Sequence, residues 1–312
     1  MKILAIRYSG LGDVVMLLQT FKKLKNKYEN CHITLLTDKS NSSLKDISCG
    51  LIDEVVSLDR GVFKKRKYFL SLVEIFKLFF KIRKQFDMTI DFQNFGETAT
   101  ITYLSNAKIK LGSPKKNKYS YGYTEIIKRS DHNHRSQLFS RIAKVDDSLD
   151  YSKLCLNNEA IKFKEEIKKQ LDKSKKTIGL NIGSTQENRR WNENNFSKLN
   201  DILKINYNVL IFIGPSEKTY KYAFKEGSFF IEDINLIRLS GAISLCDVLI
   251  TNDTGPAHLA AALDVPTLTL FSTGEDYNVG ALISKKEFIK NIDINEITVE
   301  EVLNKLKIIF IK

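Results

Sequence analysis

Three short stretches of this sequence combine polar side chains and glycines in a way that suits anion binding or proton transfer. The first is Asn252-Asp-Thr-Gly-Pro-Ala-His258, which follows the apolar run 248–251 and leads into a helical pattern. Pro256 suits the first turn of a helix, where a missing N–H costs nothing. The unpaired N–H groups and the positive end of the helix dipole then suit a phosphate or diphosphate. Taken alone, the stretch is also compatible with an ordinary strand–turn–helix corner.

The second stretch is Tyr8-Ser-Gly-Leu-Gly-Asp13, between an apolar strand at 2–7 and a helical pattern at 14–27. Its two glycines allow a sharp turn and a close approach of the backbone to a ligand. Asp13 either caps the helix or presents a carboxylate above the end of a strand, where open α/β sheets bind ligands. Because Val15 stands where the dinucleotide fingerprint requires its third glycine, an NAD site is not indicated.

The third stretch is Gly183-Ser-Thr-Gln-Glu-Asn-Arg-Arg-Trp191, directly after a predicted strand at 177–182. Small hydroxyl side chains after a strand, with two arginines nearby, form a second candidate turn for an anion. The sequence therefore contains two anion-binding turns in its second half and one candidate base in its first half.

The elements that must position these residues alternate between strands and helices along all 312 residues. Such alternation predicts an α/β protein with parallel sheets and helices on both faces. The length suits two domains, which we place at 1–155 and 156–312 with their strand-end loops facing a central cleft. The final helix, 299–312, belongs to the second domain or packs back toward the first.

The positive charge of the chain is concentrated in its first half. Residues 1–155 carry 28 Lys and Arg against 16 Asp and Glu, whereas residues 156–312 carry 21 of each. This imbalance predicts an anionic partner for the first half. A basic, aromatic-rich helix at 68–85 either covers the sheet or meets anionic lipid headgroups, and both are compatible with its pattern. No nucleic-acid recognition module is recognisable, so no nucleic-acid partner is expected.

No metal site is expected from the sequence. No two of the four cysteines have the spacing of a zinc site, and no Asp-x-Asp triplet is present. Asp131, His132 and His134 lie together in a long loop, for which a solvated role is favoured. No apolar run approaches the roughly 18 residues of a transmembrane helix, and the N-terminus begins with a strand instead of a secretory signal. The expected location is cytoplasmic.

Together, the motifs Arg7-Tyr-Ser-Gly-Leu-Gly-Asp13, Ser184-Thr185 with Arg189-Arg-Trp191, and Asn252–His258 resemble glycosyltransferase family 9. This family contains the ADP-heptose:lipopolysaccharide heptosyltransferases, and the resemblance covers nearly the whole chain. It implies a GT-B fold of two Rossmann-like domains, with the acceptor on the first domain and the nucleotide-sugar on the second. It also implies an inverting transferase without a cofactor, which moves a heptose or related sugar from an ADP-sugar to a lipopolysaccharide-core glycolipid.

The resemblance carries site roles onto particular residues. Asp13 corresponds to the general base, with Ser9, Gly10 and Gly12 in the acceptor-side loop. The family's diphosphate-facing lysine corresponds to Arg189, which keeps the charge but changes its shape from a point to a planar fork. The remaining nucleotide-sugar residues by resemblance are Ser184, Thr185, Glu217, Asp253, Thr254, Gly255 and His258. His258 taken alone would be interpreted as a buried helix histidine.

These inferences predict a metal-independent enzyme on the cytoplasmic face of the inner membrane, bound there peripherally by its anionic glycolipid acceptor and the membrane surface. A family transferase with another nucleotide-sugar or glycan acceptor remains open. A nucleic-acid binder and a non-catalytic glycan binder are the alternatives from other functional classes. The oligomeric state, the exact sugar and the linkage are not legible in the sequence.

Overall fold

The computed structural model of the chain describes residues 1–58, 78–83, 85–129, 134–150, 152–272 and 286–311. The described chain forms two compact units, Met1–Ser152 and Lys153–Lys312. Most of the basic helix predicted at 68–85 lies outside the described residues, as do Asp131, His132 and most of the glycine-containing loop expected after Phe271.

The first unit is a six-stranded, fully parallel sheet with the order β3-β2-β1-β4-β5-β6. Its strands are β1 (Lys2–Ile6), β2 (His32–Asp38), β3 (Glu54–Leu58), β4 (Met88–Asp91), β5 (Ile109–Gly112) and β6 (Glu125–Ile126). Its helices are α1 (Leu11–Lys27), α2 (Gly96–Leu104) and α3 (Arg135–Ile142). The described residues of the unit also include a helical segment at 78–82 and short 3-10 helices at Lys39–Ile47 and Asn117–Gly122.

The central strands of this unit are apolar on both faces because helices cover both sides. Residues Ile3 to Ile6 have no exposed surface, as expected for a strand in the middle of a parallel sheet. Phe92, just after β4, lies between Phe21 of α1 and Phe139 of α3 in edge-to-face contacts. This aromatic cluster packs α1 and α3 over the end of the central strands.

The described part of the chain between β5 and α3 is partly regular. It contains a 3-10 helix and β6, which pairs with β5, so β5 is an inner strand of the sheet. Tyr123 packs over Gly112, and its hydroxyl donates to Asp91 Oδ2 at 2.7 Å. Asp91 Oδ1 also accepts the N–H groups of Gln93 and Asn94, both at 2.8 Å. Burial raises the pKa of Asp91, and these hydrogen bonds oppose the shift.

The second unit repeats the architecture with a parallel sheet of order β12-β11-β10-β7-β8-β9. Its strands are β7 (Thr177–Asn181), β8 (Asn208–Phe212), β9 (Phe229–Ile231), β10 (Val248–Asn252), β11 (Thr267–Phe271) and β12 (Lys286–Lys290). Its helices are α4 (Asn158–Lys168), α5 (Glu193–Leu203), α6 (Leu236–Ile243), α7 (Gly255–Ala262) and α8 (Val299–Ile311). No helix in the described ranges of the chain is long and apolar enough to cross a membrane.

The core of the second unit is built around the single tryptophan. Trp191 is fully buried, meets Phe196 edge-to-face at 4.9 Å between ring centroids, and donates from Nε1 to Ile297 O at 2.8 Å. The apolar side of α8, through Val302 and Leu306, belongs to this core. The final helix therefore contributes to the core of the second unit.

Asn252, at the end of β10, ties together the backbone of two loops. Its Nδ2 donates to Ile182 O at 3.2 Å and Gly183 O at 3.3 Å, while its Oδ1 accepts from Trp191 N at 3.0 Å. The side chain is fully buried, so each of these backbone groups depends on the amide for a partner. An amide is required here because the same side chain must donate on one side and accept on the other.

Asn252→Asp tests this arrangement with almost no change in volume. The new carboxylate would face two carbonyl oxygens, so we expect the free energy of unfolding to fall by about 3 kcal/mol or more. Chemical denaturation measures the loss. Asn194→Asp, at an exposed position of α5, is the matched control and should unfold like the wild type. Equal stability of the two variants would contradict the role given to Asn252.

Candidate functional site

In each unit most of the predicted site residues lie in loops next to the point where the strand order of the sheet reverses. In the first unit this point is between β1 and β4, and in the second it is between β7 and β10. The loops after neighbouring strands separate at such a point and leave a crevice at the carboxyl edge, where open α/β sheets bind ligands. Asp13 follows β1, Arg189 follows β7 and Asp253 follows β10, so each belongs to one of these crevices.

Asp13 is the third residue of α1 and not its cap. The helix begins at Leu11, and its N-cap is Gly10 in a left-handed conformation with φ of 84°. A Cβ atom at residue 10 would lie 2.8 Å from Asp13 Oδ2, so the glycine is required both by its φ and by the carboxylate. Gly12 is buried within the first turn. The alternative in which Asp13 only caps the helix is therefore wrong.

Two arginines bind the carboxylate of Asp13. Arg7 donates from Nη2 to Oδ2, and Arg135 donates from Nη1 to Oδ1 at 2.7 Å. Arg7 also donates from Nη1 to Phe92 O at 2.9 Å and from Nε to Ser9 O at 3.1 Å, so its guanidinium is held at three points. Burial lowers the pKa of Arg7, and the charge of Asp13 opposes that shift.

The two arginines differ in exposure. The side chain of Arg7 is 12% exposed and that of Arg135 is 44% exposed, while the Asp13 side chain between them is 10% exposed. Arg135 begins α3, which follows the buried N-cap His134, and α3 packs against α1 through Thr20 and Ser140. Arg7 is thus the inner partner of the carboxylate, and Arg135 is the partner next to solvent.

Other polar groups line the same crevice. Ser9 N donates to Gln93 Oε1, and Gln93 Nε2 approaches Ser9 Oγ, each at 3.4 Å. Gln93 follows β4, so this contact joins the loops on both sides of the strand-order reversal. The crevice of the first unit therefore contains a fixed carboxylate, two guanidinium groups, a hydroxyl and a carboxamide.

In the second unit Arg189 and Asp253 face each other across the reversal. Arg189 ends a 3-10 turn, Glu187–Arg189, and donates from Nη1 to Asp253 Oδ2 at 3.2 Å. Its side chain is 36% exposed, yet its Nε is buried without a hydrogen-bond partner among the described residues. The exposed part of this guanidinium is accessible from solvent, so it can donate to an anionic ligand.

The N-terminus of α7 lies beside this pair. Thr254 is its N-cap and makes no capping hydrogen bond, and Gly255 and Pro256 begin the helix. Thr254 Oγ1 instead accepts from Asn181 Nδ2 at 3.1 Å, which leaves the capping positions of the helix available. His258 is buried one turn further along α7.

Ser184, Thr185 and Glu217 occupy the loops after β7 and β8. Ser184 is buried and donates from Oγ to Gln186 O at 2.9 Å, while Thr185 is exposed. Glu217 is 4% exposed, and its carboxylate lies against the backbone of Gly183, where an added Cβ would be 3.3 Å from Oε2. The structure thus gathers Ser184, Glu217, Arg189 and Asp253 at one edge of the second sheet.

Sequence reasoning missed four residues of these sites, of which Gln93 follows β4 and was not singled out. Arg7 was part of a quoted motif but had no role, and Asn181 lies inside a strand that was interpreted only as scaffold. Arg135 lies 122 residues from Asp13 and has no motif around it, so no local pattern could have paired the two. Only Arg7 had a usable signal, because it directly follows β1 and precedes the glycine turn.

Comparison with known proteins agrees with this fold. A model of glycosyltransferase family 9 (heptosyltransferase) matches residues 75–307. Lipopolysaccharide heptosyltransferase 1 of Campylobacter coli is 26% identical over 99% of both chains. Lipopolysaccharide core heptosyltransferase OpsX of Haemophilus influenzae is 20% identical over 86% of this chain and 78% of that protein.

Two solved structures are similar over almost their entire length. A family 9 glycosyl transferase from Veillonella parvula has a TM-score of 0.87 at 19% identity, covering 99% of this chain and 97% of its own. The E. coli heptosyltransferase WaaC with ADP has a TM-score of 0.79 at 18% identity, covering 99% and 100%. These similarities confirm the predicted GT-B type of α/β fold. Since the family model matches most of its length, the chain belongs to glycosyltransferase family 9 and is a glycosyltransferase.

Proposed function

We propose that this enzyme transfers a heptose from ADP-heptose to a lipopolysaccharide-core glycolipid, with Asp13 as general base and without a metal ion. The observation that supports the proposal best is the Asp13 carboxylate fixed by Arg7 and Arg135 at the strand-order reversal of the first sheet. The named relatives support the substrate class, since WaaC has been solved with ADP and with ADP-2-deoxy-2-fluoro heptose.

In the proposed reaction an acceptor hydroxyl attacks the anomeric carbon of the sugar. A bond forms between the hydroxyl oxygen and that carbon while the bond from the carbon to the diphosphate oxygen breaks. Asp13 receives the hydroxyl proton, and the nucleoside diphosphate leaves with the electron pair. A single displacement of this kind inverts the anomeric configuration.

The two arginines leave Asp13 able to act in this way. A carboxylate oxygen can accept about two hydrogen bonds, so one arginine contact on each oxygen leaves room for an acceptor hydroxyl. Arg7 holds the carboxylate against rotation, because its other two hydrogen bonds end on backbone carbonyls. A positioned base of this kind needs only hydrogen-bond reach to the attacking oxygen.

The donor side of the proposal uses the second unit. The diphosphate gains negative charge as the sugar leaves, so fixed positive groups stabilise the transition state more than the ground state. Arg189 and the uncapped N-terminus of α7 supply such groups. The exposed Thr185 is proposed as a hydroxyl donor, and Ser184 joins it once its hydroxyl turns from Gln186 O to the diphosphate. Glu217 is proposed to bind the ribose of the nucleoside, as the family resemblance implies.

Asp13→Asn tests the base. The amide keeps the shape of the side chain but cannot accept the proton, so we expect kcat to fall by about 10²- to 10⁴-fold with little change in donor binding. Nucleoside diphosphate release in the presence of acceptor measures the rate. Glu97→Gln, which removes an exposed carboxylate from the same unit, should leave kcat unchanged. An Asp13→Asn enzyme as fast as the wild type would refute the assignment.

Arg189 is tested by a pair of substitutions. Arg189→Gln removes the positive charge proposed to bind the diphosphate, so we expect kcat/KM for the donor to fall by about 10²-fold. Arg189→Lys keeps the charge at the position of the family lysine and should retain most of the activity. Lys225→Gln, an exposed charge removal in the same unit, serves as control. If Arg189→Gln matches the control, the diphosphate is held elsewhere.

Metal independence is tested by chelation. Because Arg189 and α7 are proposed to supply the positive charge, we expect the transfer rate to be the same with EDTA as without it. The rate is measured after dialysis against the chelator, with and without added Mg²⁺ or Mn²⁺. Activity that disappears with EDTA and returns with either ion would contradict this part of the proposal.

A further inference from the structure

One face of the first unit combines exposed aromatic rings with lysines. This aromatic–lysine surface consists of Phe95, Tyr103, Leu104, Lys110, Lys118 and Tyr121, which come from α2, β5 and the 3-10 helix Asn117–Gly122. Tyr103 and Tyr121 are 56% and 53% exposed, and Phe95 is 47% exposed. Exposed aromatic residues on a stable unit are unusual enough to indicate a partner when they adjoin one another.

Two of the aromatic rings are in direct contact. Tyr103 and Tyr121 contact edge-to-face with 6.2 Å between ring centroids, and Lys110 Nζ lies 5.8 Å from the Tyr103 centroid. The Tyr121 hydroxyl bonds Thr100 Oγ1 at 2.7 Å. Its polar end is therefore satisfied within the protein, and the ring remains in contact with solvent.

The group continues toward the carboxyl edge of the sheet. Tyr119, whose ring lies under Lys118 Nζ at 5.3 Å from its centroid, packs directly against Gly96. Gly96 follows Phe95, which in turn follows the loop that contacts Ser9 through Gln93. The aromatic–lysine surface therefore begins at the crevice that contains Asp13 and extends away from it along α2.

The charge of this segment is strongly unbalanced. Residues 95–129 contain seven basic side chains and two acidic ones, and one of the acidic pair, Glu125, is bound to Lys144 at 2.9 Å. Four of the lysines are exposed and have no carboxylate partner among the described residues: Lys108, Lys115, Lys116 and Lys118. Lysines with apolar stems beside tyrosine rings are the composition that binds the interface of an anionic bilayer.

We propose that the aromatic–lysine surface, together with the exposed Lys108, Lys115 and Lys116 of the same segment, docks the enzyme on an anionic lipid membrane. The tyrosine rings would lie at the headgroup level and the lysines on lipid phosphates. The inference rests on the proposed glycolipid acceptor, whose attacking hydroxyl must reach Asp13 while its lipid chains stay in the bilayer. Charge complementarity selects the lipid surface over a second copy of this chain, because a second copy would place the same lysines against one another.

The test is sedimentation of the full-length protein with vesicles of phosphatidylglycerol and phosphatidylethanolamine. We expect binding that weakens as salt rises and is absent with phosphatidylcholine alone. Replacing the four exposed lysines with Gln should reduce binding by about tenfold or more. The double variant Tyr103→Ser/Tyr121→Ser should also reduce it, by removing the ring contacts while leaving every charge in place.

Matched controls come from the second unit. Tyr222→Ser removes a 91% exposed tyrosine, and a fourfold Lys-to-Gln variant changes the net charge equally at Lys162, Lys168, Lys169 and Lys173. Thermal unfolding of all variants shows that each is folded. If the control variants lose as much vesicle binding as the surface variants, the inference is wrong.

A water-soluble acceptor without lipid chains distinguishes failure of membrane docking from failure of the proposed sugar transfer. The surface variants should transfer sugar to this acceptor at the wild-type rate and lose activity only on vesicle-embedded acceptor. Absence of transfer to either acceptor by the wild type would contradict the proposed function. The docking proposal would be wrong if the surface variants transferred sugar to both acceptors at the wild-type rate. It would also be wrong if the protein bound duplex DNA through the four exposed lysines more tightly than it binds vesicles.

Discussion

Both candidate sites depend on one constraint, the reversal of strand order in a parallel sheet. A strand order that runs outward in both directions from two central strands sends successive loops to opposite sides, and a crevice opens between them. The first unit reverses between β1 and β4, and the second between β7 and β10. Helices α1 and α7 begin directly at these crevices, so their positive ends add to the charges there. The repeated architecture thus produces two polar pockets from otherwise apolar sheets.

Opposite charges are paired in both crevices, but with different consequences. In the first unit a carboxylate lies between two guanidinium groups, which compensate the loss of hydration that burial imposes on Asp13. In the second unit the Arg189 guanidinium is paired with the Asp253 carboxylate, and the buried Nε–H of Arg189 has no acceptor among the described residues. The first arrangement suits a fixed proton acceptor, and the second suits recognition of an anion that arrives with the substrate. This difference is consistent with a division of labour between acceptor and donor.

Much of the fold could be predicted because strand and helix periods alternate clearly and glycine turns mark strand ends. The edge strands β6, β9 and β12 were missed. β6 and β9 have only two and three residues, and β12 has charged side chains at three of its five positions, so none contains an apolar run. The site residues that lie within sequence motifs could be predicted from the sequence, and their roles stay predictions. Arg135 could not be found, because its pairing with Asp13 depends on how α3 packs on α1. The role of Asn252 was also hidden, because its partners are backbone groups of other loops.

The central claim is that the enzyme forms a glycosidic bond by a single displacement from a nucleotide-sugar. The most direct measurement is the anomeric configuration of the product, determined by NMR after incubation of the enzyme with ADP-heptose and a glycolipid-core acceptor. The account predicts a new heptosyl bond whose configuration is inverted relative to the donor, with one ADP released per bond. A product with retained configuration, or ADP release without a new glycosidic bond, would contradict it.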